Sequence, residues 1–185
     1  MQRRYTDRMA DVPDPRPLTG EPLALDLVDT VWIDDDGAHD LFDDPAQRSA
    51  WLAHWELPDP GGRSARANLV EARQAIRLLL EHPGDRAAED AVDLVLARGR
   101  IRLTLHDGQP GETVEVAPAW AAAWHAARDL RRLLAARPER VKHCANRDCV
   151  LWFEDTTRSA TRRWCSMTGG CGSRLKARRH RHRRA

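Results

Sequence analysis

All four cysteines of this chain lie in one C-terminal stretch, at Cys144, Cys149, Cys165 and Cys171. Four residues separate the first two cysteines, five separate the last two, and fifteen lie between the pairs. Thiolates arranged in two pairs can close a tetrahedron around one zinc ion. We therefore predict one structural Zn²⁺ site with these four ligands. Because such a site leaves no position for a reactive water molecule, it argues against hydrolysis at the metal.

The cellular compartment expected from the sequence helps to decide between zinc and disulfides for the four cysteines. The first 22 residues contain charges and prolines but no apolar core of the kind found in a signal peptide. No apolar run approaches the roughly 20 residues that a membrane-spanning helix needs. We therefore expect a cytoplasmic protein without membrane association, where thiols stay reduced, and this favours zinc over disulfides. Free or redox-active thiols are the main alternative.

Charge is distributed unevenly along the chain. The formal net charge is only +2, but the segment from Arg137 to the end has fourteen Lys and Arg against four Asp and Glu. That segment therefore carries about +10, and the rest of the chain about −8. Deprotonation of the four cysteines on one Zn²⁺ would lower the net charge of this segment by two units and leave it strongly basic. A basic end on an acidic protein indicates a nucleic-acid partner.

The N-terminal part begins with residues 1–20, which are rich in proline and charge and which we expect to be a disordered leader. An apolar segment follows at 23–32. Its acids Asp26 and Asp29 are three residues apart, which places them on one face of a helix, although the apolar alternation would equally suit a strand. Asp29 and Thr30 are candidates for a ligand pocket. The alternative is that they simply satisfy backbone groups.

Later segments show clear helix signals. Asp44 followed by Pro45 is typical of a helix start, with aspartate as the N-cap and proline at the first helical position. An apolar stripe with arginines opposite it predicts a core-facing helix over 64–81. The predicted helices start at Asp44-Pro45, Ser64, Asp85 and Pro118, and the last two end near Gly99 and Ala136.

Two segments, 101–105 and 112–116, alternate apolar and polar residues around a run of turn formers. This pattern predicts a β-hairpin with one apolar face, which together with the helices would bury a core. We therefore predict an α+β fold. Its mostly helical N-terminal domain would cover 21–137, and a small zinc finger with a basic C-terminal helix would cover 138–185.

The arginine-rich end can form a nucleic-acid-binding helix. If Ser173 caps it, Arg174, Arg178 and Arg181 fall on one face, where they can contact phosphates or pair with guanine in the major groove. A loop between the cysteine pairs adds further cations. The alternative is a solvated tail that orders only on binding. The candidate DNA contacts are Arg162, Arg163, Arg174, Lys176, Arg178, Arg179 and Arg181.

The cysteine module resembles the CGNR zinc finger. The resemblance lies in three segments, Cys144-Ala-Asn-Arg-Asp-Cys149, Arg162-Arg163-Trp164-Cys165-Ser166-Met167 and Cys171-Gly-Ser-Arg174. In that family the finger follows an ABATE domain, whose opening Leu-x-Leu-Asp-x-x-Asn-Thr-x-Trp is similar to the stretch from Leu23 to Trp32. Three positions depart from the family pattern: Asp29 and Ser173 each replace an asparagine, and Gly169-Gly170 lengthens the second cysteine pair.

The resemblance implies a bacterial, stress-induced transcription regulator with a zinc-bound, DNA-contacting finger. In this interpretation the N-terminal domain senses a small-molecule effector or pairs the chain into a homodimer. The candidate pocket residues are Asp26, Asp29, Thr30, Trp32 and Trp124. One alternative is a zinc-stapled RNA-binding or protein-interaction module. An enzyme acting from the N-terminal domain is a further alternative, but no nucleophile motif, phosphate loop or HExxH-like pattern supports it, and we predict that the protein is not an enzyme.

Overall fold

The structure is a computed structural model that describes residues 12–166 and 170–172. Over these residues the fold is α+β, as predicted, with five α-helices and three two-stranded antiparallel sheets. The helices are α1 (Leu23–Val28), α2 (Pro45–His54), α3 (Gly62–Glu81), α4 (Arg86–Leu96) and α5 (Ala121–Ala136). The strands are β1 (Val31–Asp34), β2 (Gly37–Asp40), β3 (Gly99–His106), β4 (Gln109–Val116), β5 (Val141–His143) and β6 (Trp152–Glu154). Within the same part of the chain, no helix has the length and apolar character needed to cross a membrane.

Two predicted helix starts are confirmed by their capping bonds. Asp44 Oδ1 accepts from the Ala46 amide at 2.8 Å, and Asp85 Oδ2 accepts from the Ala88 amide at 3.0 Å. Each carboxylate satisfies a backbone N–H that has no partner inside its own helix. The sequence signals at these positions involve only neighbouring residues, and they were therefore sufficient to predict where the two helices begin.

The segment after residue 22 is a short helix, α1, and not a strand over its first six residues. Its residues 24–28 are buried, and it packs against α3, α5 and strand β6. A helix surrounded on all sides has no solvent face, which explains why its sequence is apolar throughout except for Asp26. The strand character that the sequence also allowed belongs to β1, which begins at Val31.

Asp26 is held inside the protein by three donors. Trp51 Nε1 donates to its Oδ1 at 2.5 Å and Trp55 Nε1 at 3.2 Å, while Arg16 Nη1 lies 3.0 Å from the same oxygen. The buried charge is thus paired with a cation and hydrogen-bonded. Because Arg16 is itself buried, the expectation of a disordered leader over 1–20 is corrected for its last part. Residues 1–11 lie outside the described residues.

Strands β3 and β4 form the predicted hairpin, but its apolar face is not part of the core. Leu103 and Leu105 are 77% and 76% exposed, and the buried core contains no residue of the hairpin. The hairpin joins the body at its base, where a Cβ on Gly99 would lie 2.7 Å from Trp124 Nε1. Glycine at this position allows the strand to pass directly over the indole. Beyond the base, Glu112 of β4 lies 3.6 Å from Arg128 of α5.

Candidate metal centre and the contact between finger and domain

The four cysteine Sγ atoms lie within 4.8 Å of one another, and all four residues are buried. Cys149 Sγ and Cys165 Sγ are 3.8 Å apart. A tetrahedron with Zn–S bonds of about 2.3 Å places its sulfur atoms about 3.8 Å apart. The cluster therefore has the donor set and the spacing for one structural zinc ion. This agrees with the prediction from the cysteine pattern.

Backbone hydrogen bonds bring the two cysteine pairs together. The amide of Cys144, directly after β5, donates to the Leu151 carbonyl at 3.0 Å. The next amide, that of Ala145, donates to the Arg163 carbonyl at 2.8 Å, which aligns the second pair with the first. Asn146 Nδ2 donates to Cys171 Sγ at 3.4 Å. The ligand positions thus depend on a bonded loop and not on the metal alone.

Hydrogen bonds among three of the thiols shift their pKa values in opposite directions. Hydrogen bonds from Cys149 and Cys165 lower the pKa of Cys144 to about 2. The same interaction with Cys144 raises the pKa of Cys149 to about 12 and that of Cys165 well above its usual range. Bound Zn²⁺ would supply the positive charge that allows all four thiols to deprotonate.

Asp155 organises the loop between the cysteine pairs. Its buried carboxylate accepts from Lys142 Nζ at 2.7 Å, from the Arg162 amide at 2.9 Å, and from the amide and hydroxyl of Thr157 at 3.0 and 2.6 Å. Burial would raise the pKa of Asp155, but the hydrogen bonds from Lys142 and Thr157 outweigh it and lower the pKa well below its usual range. The carboxylate stays ionised and holds the loop.

Arg162 and Arg163 are adjacent in sequence but have different roles. The Arg162 guanidinium lies 4.2 Å from the Phe153 ring centroid and donates to the Trp164 carbonyl at 3.1 Å and to the Cys165 carbonyl. It also lies 3.4 Å from Glu21 Oε1. These contacts engage its donors inside the protein, and the predicted contact of Arg162 with DNA stays a prediction. Arg163 is exposed, with its guanidinium 5.4 Å from the Trp164 ring.

The remaining predicted DNA contacts lie outside the described residues. These are Arg174, Lys176, Arg178, Arg179 and Arg181, together with their proposed cap Ser173. Of the two glycines that lengthen the second cysteine pair, Gly169 also lies outside. For Gly170, an added Cβ would come within 2.6 Å of Ser166 Cβ, so the turn between Cys165 and Cys171 requires a residue without a side chain there.

The zinc module packs on the helical domain through strand β6. Along β6, the backbone N–H and C=O groups of residues 151, 153 and 155 point toward β5 and the residues next to it. The amides of Trp152 and Glu154 therefore point to the opposite side of β6. Asp29 Oδ1 accepts from the Trp152 amide at 2.9 Å, and Glu21 Oε2 accepts from the Glu154 amide at 2.8 Å. Two carboxylates beside α1 therefore satisfy the free edge of β6.

Arg77 of α3 adds a third bridge. Its guanidinium donates to the Val28 carbonyl at 2.9 Å and to the Val150 carbonyl at 3.1 Å. The side chains of Leu151, Trp152 and Phe153 belong to the same buried cluster as α1, α3 and α5. The finger is therefore fixed to the helical domain both by hydrogen bonds and by apolar packing.

The carboxyl of Asp29 is in an unusual environment. It is 1% exposed, and its Oδ2 makes no hydrogen bond with any residue that the structure describes. Burial raises the pKa of Asp29 well above its usual range, and the hydrogen bond from Trp152 lowers it only in part. Burial also raises the pKa of Glu21. Both carboxyls at this contact are thus easier to protonate than exposed ones.

The predicted pocket residues do not line a common cavity in the part of the chain described. Thr30 Oγ1 donates to the Leu27 carbonyl at 2.7 Å, and Trp124 Nε1 donates to the Leu96 carbonyl at 2.9 Å. The contacts correspond to the alternative in which these residues satisfy backbone groups and pack the core. All members of the predicted set are buried: Asp26, Asp29, Thr30, Trp32 and Trp124.

A cleft lies instead between α5, the end of α2 and the zinc module. Its volume is about 980 Å³. Four polar residues of α5 at helical spacing face it, while the finger contributes one arginine and two other side chains. Sequence reasoning missed this set because its members come from four separate segments. The lining residues are Gly20, Glu21, Pro22, Leu23, Trp55, Glu56, Leu57, His125, Arg128, Asp129, Arg132, Glu154, Thr156 and Arg162.

Both parts of the chain match known protein families. Residues 21–137 match ABATE, described as "Putative stress-induced transcription regulator", and residues 140–184 match the CGNR zinc finger. The order of the two matches is the one expected from the sequence. The two descriptions are those of a regulator and a zinc finger, not of an enzyme. The search of curated proteins gave no match.

Proposed function

The chain belongs to the ABATE family and carries a CGNR zinc finger behind its ABATE domain, and from this premise we propose that it is a DNA-binding transcription regulator. The zinc cluster is the observation that carries the proposal. It fixes the geometry of a small module directly before a segment, 173–185, with seven Lys and Arg and no acid. A rigid module can position the basic segment that follows it for contact with the phosphates and the base edges of DNA.

The described surface of the finger supports the same proposal. Arg147, Arg158 and Arg163 are all exposed there. The backbone bond between Ala145 and Arg163 brings the last of these beside the first cysteine loop. The ABATE domain would carry the regulatory part, and its acidic balance keeps it from competing with the finger for DNA.

Arg163 and Arg162 are expected to differ in their effects on DNA binding. Arg163→Ala should weaken binding across all DNA sequences and lower the magnitude of the log–log salt slope by about 1, because one phosphate contact is lost. Zinc content and melting temperature should not change. Arg162→Ala should lower the melting temperature, since it removes bonds inside the finger. The measurement is fluorescence anisotropy with a duplex from the protein's own locus at several salt concentrations.

Arg86→Ala is the matched control for this comparison, because it removes another exposed arginine, on α4, where Arg86 lies 2.9 Å from Asp90. Its DNA affinity should equal that of the unmodified protein. An own-locus duplex bound no better than scrambled DNA would overturn the proposal of a sequence-specific regulator. Preference for RNA over both duplexes would favour the alternative, a zinc-stapled RNA-binding module.

The cleft between the domain and the finger supports a sensing role for the ABATE domain. Its apolar wall includes Trp55 and Leu57. On α5, His125 makes no hydrogen bond with the described residues. The Arg128 guanidinium lies 5.7 Å from the Trp124 ring centroid and 3.6 Å from Glu112 Oε2. We propose that the cleft binds an amino-acid-like effector whose apolar part packs on these side chains and whose carboxylate meets the two α5 groups. Volumes near this one are typical of small-molecule sites.

The same cleft also offers carboxylates for an ammonium group. Glu21 and Asp129 are already bonded within the protein, to the amides of Glu154 and Ala24. Glu56 and the side chain of Glu154 complete the acidic part of the wall. Because Glu154 belongs to the finger and Arg128 to the domain, an effector bound by both would couple the position of the finger to ligand binding.

The effector proposal is tested with L-leucine and L-phenylalanine, each beside its amine-only and acid-only analogue. Isothermal titration should show binding of at least one amino acid, weakened about tenfold by Arg128→Ala, because a charge-assisted hydrogen bond is worth about 1.5–3 kcal/mol. Arg131→Ala, an exposed arginine of α5 outside the cleft lining, is the matched control. No binding, or equal binding of the acid-only analogues, would overturn this ligand class while leaving the DNA proposal intact.

A further inference from the structure

Arg162 contacts three parts of the molecule with one guanidinium. Its Nε donates to the Trp164 carbonyl at 3.1 Å, and its Nη2 donates to the carbonyl of Cys165. The guanidinium lies 4.2 Å from the ring centroid of Phe153, which is fully buried. The same Nη2 lies 3.4 Å from Glu21 Oε1. Arg162 therefore links a cysteine of the metal cluster, the core of the finger and the start of the ABATE domain.

The bond to Cys165 bears directly on the zinc site. Cys165 is the first ligand of the second cysteine pair, and the position of its Sγ depends on the backbone that Arg162 holds. The loop before it is fixed at the same residue, because the Arg162 amide donates to Asp155 Oδ2 at 2.9 Å. Removal of the contacts that orient metal ligands typically costs about 10–100-fold in metal affinity. Arg162 is thus placed to affect how firmly the cluster holds its metal.

Glu21 is the residue of the ABATE domain that meets this guanidinium. It lies two residues before α1, and its Oε2 accepts from the Glu154 amide at 2.8 Å, which leaves Oε1 beside Arg162. The side chains of Glu21 and Arg162 are only 9% and 20% exposed. Water and salt therefore screen their attraction less than they would on the surface. Within residues 12–166 and 170–172, Glu21 is the one acid paired with Arg162.

The other bridges between the domain and the finger do not reach the second cysteine pair. Asp29 accepts from the amide of residue 152, and Arg77 donates to the carbonyl of residue 150. We propose that Glu21 is a positioning residue for the zinc site. Through Arg162 it holds the backbone of Cys165, so the ABATE domain controls how firmly the finger retains zinc.

This coupling requires neither DNA binding nor an effector, because it involves only contacts within the chain. Glu21 and Arg162 also line the cleft between the domain and the finger. A ligand bound there would contact the pair and alter zinc retention, and this consequence alone rests on the proposed effector. The simpler explanation is that the ion pair stabilises the fold in general. A variant that loses a bond elsewhere in the cleft separates the two explanations.

Zinc release from the loaded full chain to an excess of the dye pyridylazoresorcinol tests the proposal under native conditions. Glu21→Gln keeps an oxygen for the Glu154 amide but removes the charge that faces Arg162. Zinc release should become about tenfold faster, the lower end of the range for contacts outside the ligands, because Glu21 acts through another residue. Arg162→Ala should accelerate release by at least as much.

Asp129→Asn is the matched control. Asp129 lines the same cleft and also accepts from a backbone amide, that of Ala24 at 3.1 Å, but its bonds in the described part of the chain lie within the ABATE domain. Zinc release from this variant should equal that of the unmodified protein. Release from Glu21→Gln at the unmodified rate, or equally accelerated release from Asp129→Asn, would overturn the proposal.

A double variant tests the route from Glu21 to the metal. Because the effect of Glu21 passes through Arg162, Glu21→Gln combined with Arg162→Ala should release zinc no faster than Arg162→Ala alone. Additive acceleration would overturn the role given to Arg162. The comparison of Glu21→Gln with Asp129→Asn decides whether the ABATE domain controls zinc retention even where Arg162→Ala binds no zinc.

Discussion

Cys144→Ser is expected to bind no zinc and to unfold the module that contains the four cysteines. Apparent zinc-binding free energies in small zinc fingers reach about 10–16 kcal/mol, which is comparable to or larger than the stability of a whole domain. Three ligands cannot replace this contribution in a module with so little core of its own. Because Leu151, Trp152 and Phe153 share the buried cluster of the helical domain, the melting temperature of the whole chain should also fall.

Native mass spectrometry measures this effect directly. The unmodified chain should carry one zinc ion, and the Cys144→Ser chain none. His143→Ala is the matched control, since His143 is exposed and precedes the ligand in sequence, and this variant should retain the metal. Full zinc content in the cysteine variant, or loss of zinc from the histidine variant, would contradict the assignment of ligands.

Asp29→Ala is expected to weaken the contact between the finger and the helical domain. It removes the acceptor of the buried Trp152 amide, and an unsatisfied buried N–H costs about 1–3 kcal/mol. Urea unfolding of the zinc-loaded protein should show this loss. Hydrogen exchange should show faster exchange at the Trp152 amide but not at the Phe153 amide, which is paired with β5. Equal protection of both amides in the variant would contradict this role of Asp29.

Asp29→Asn keeps an acceptor at the same position and isolates the effect of ionisation. The folded pKa of Asp29 is raised above its ordinary value of 3.8, so protonation favours the folded state. This stabilisation is fully present below pH 3.8 and is lost as the pH rises through the folded pKa. The stability of the unmodified protein relative to Asp29→Asn should therefore decrease as the pH rises from 3.8 through the raised folded pKa of Asp29. Asparagine does not titrate, and zinc contributes equally to both proteins within the comparison.

A constant difference between the two proteins over that range would show that Asp29 does not change protonation on unfolding. Glu21→Gln provides a second test at the same contact, because burial raises the pKa of Glu21 in the same direction. Its pH dependence should have the same sign. A decrease in only one of the two comparisons would assign the titration to that residue alone.

Short-range sequence patterns predicted the zinc ligands and the helix caps. Cysteine spacing identified all four members of the metal cluster because the ligands of a small finger lie close in sequence. Asp44 and Asp85 cap the helices that follow them because an N-cap bonds an amide only two or three residues away. The hairpin was predicted equally well, since alternation and turn residues are local signals.

The roles of Asp29 and Arg162 could not be derived in the same way. The partner of Asp29 is an amide 123 residues later, and the position of that residue beside α1 results from the packing of the finger on the domain. Arg162 has the same side chain as Arg163, and only the folded loop places one over Phe153 and the other in solvent. Sequence patterns do not contain this information because it depends on contacts between distant segments.

The sequence alone determined a metal-stapled, two-part α+β chain with a basic end, because composition, spacing and periodicity are properties of neighbouring residues. Only the tertiary structure decided which surfaces are covered. Leu103 and Leu105 alternate as a core strand would, yet within residues 12–166 and 170–172 both side chains are largely exposed. Alternation shows that a strand has an apolar face, but the packing of the other elements determines what, if anything, covers that face.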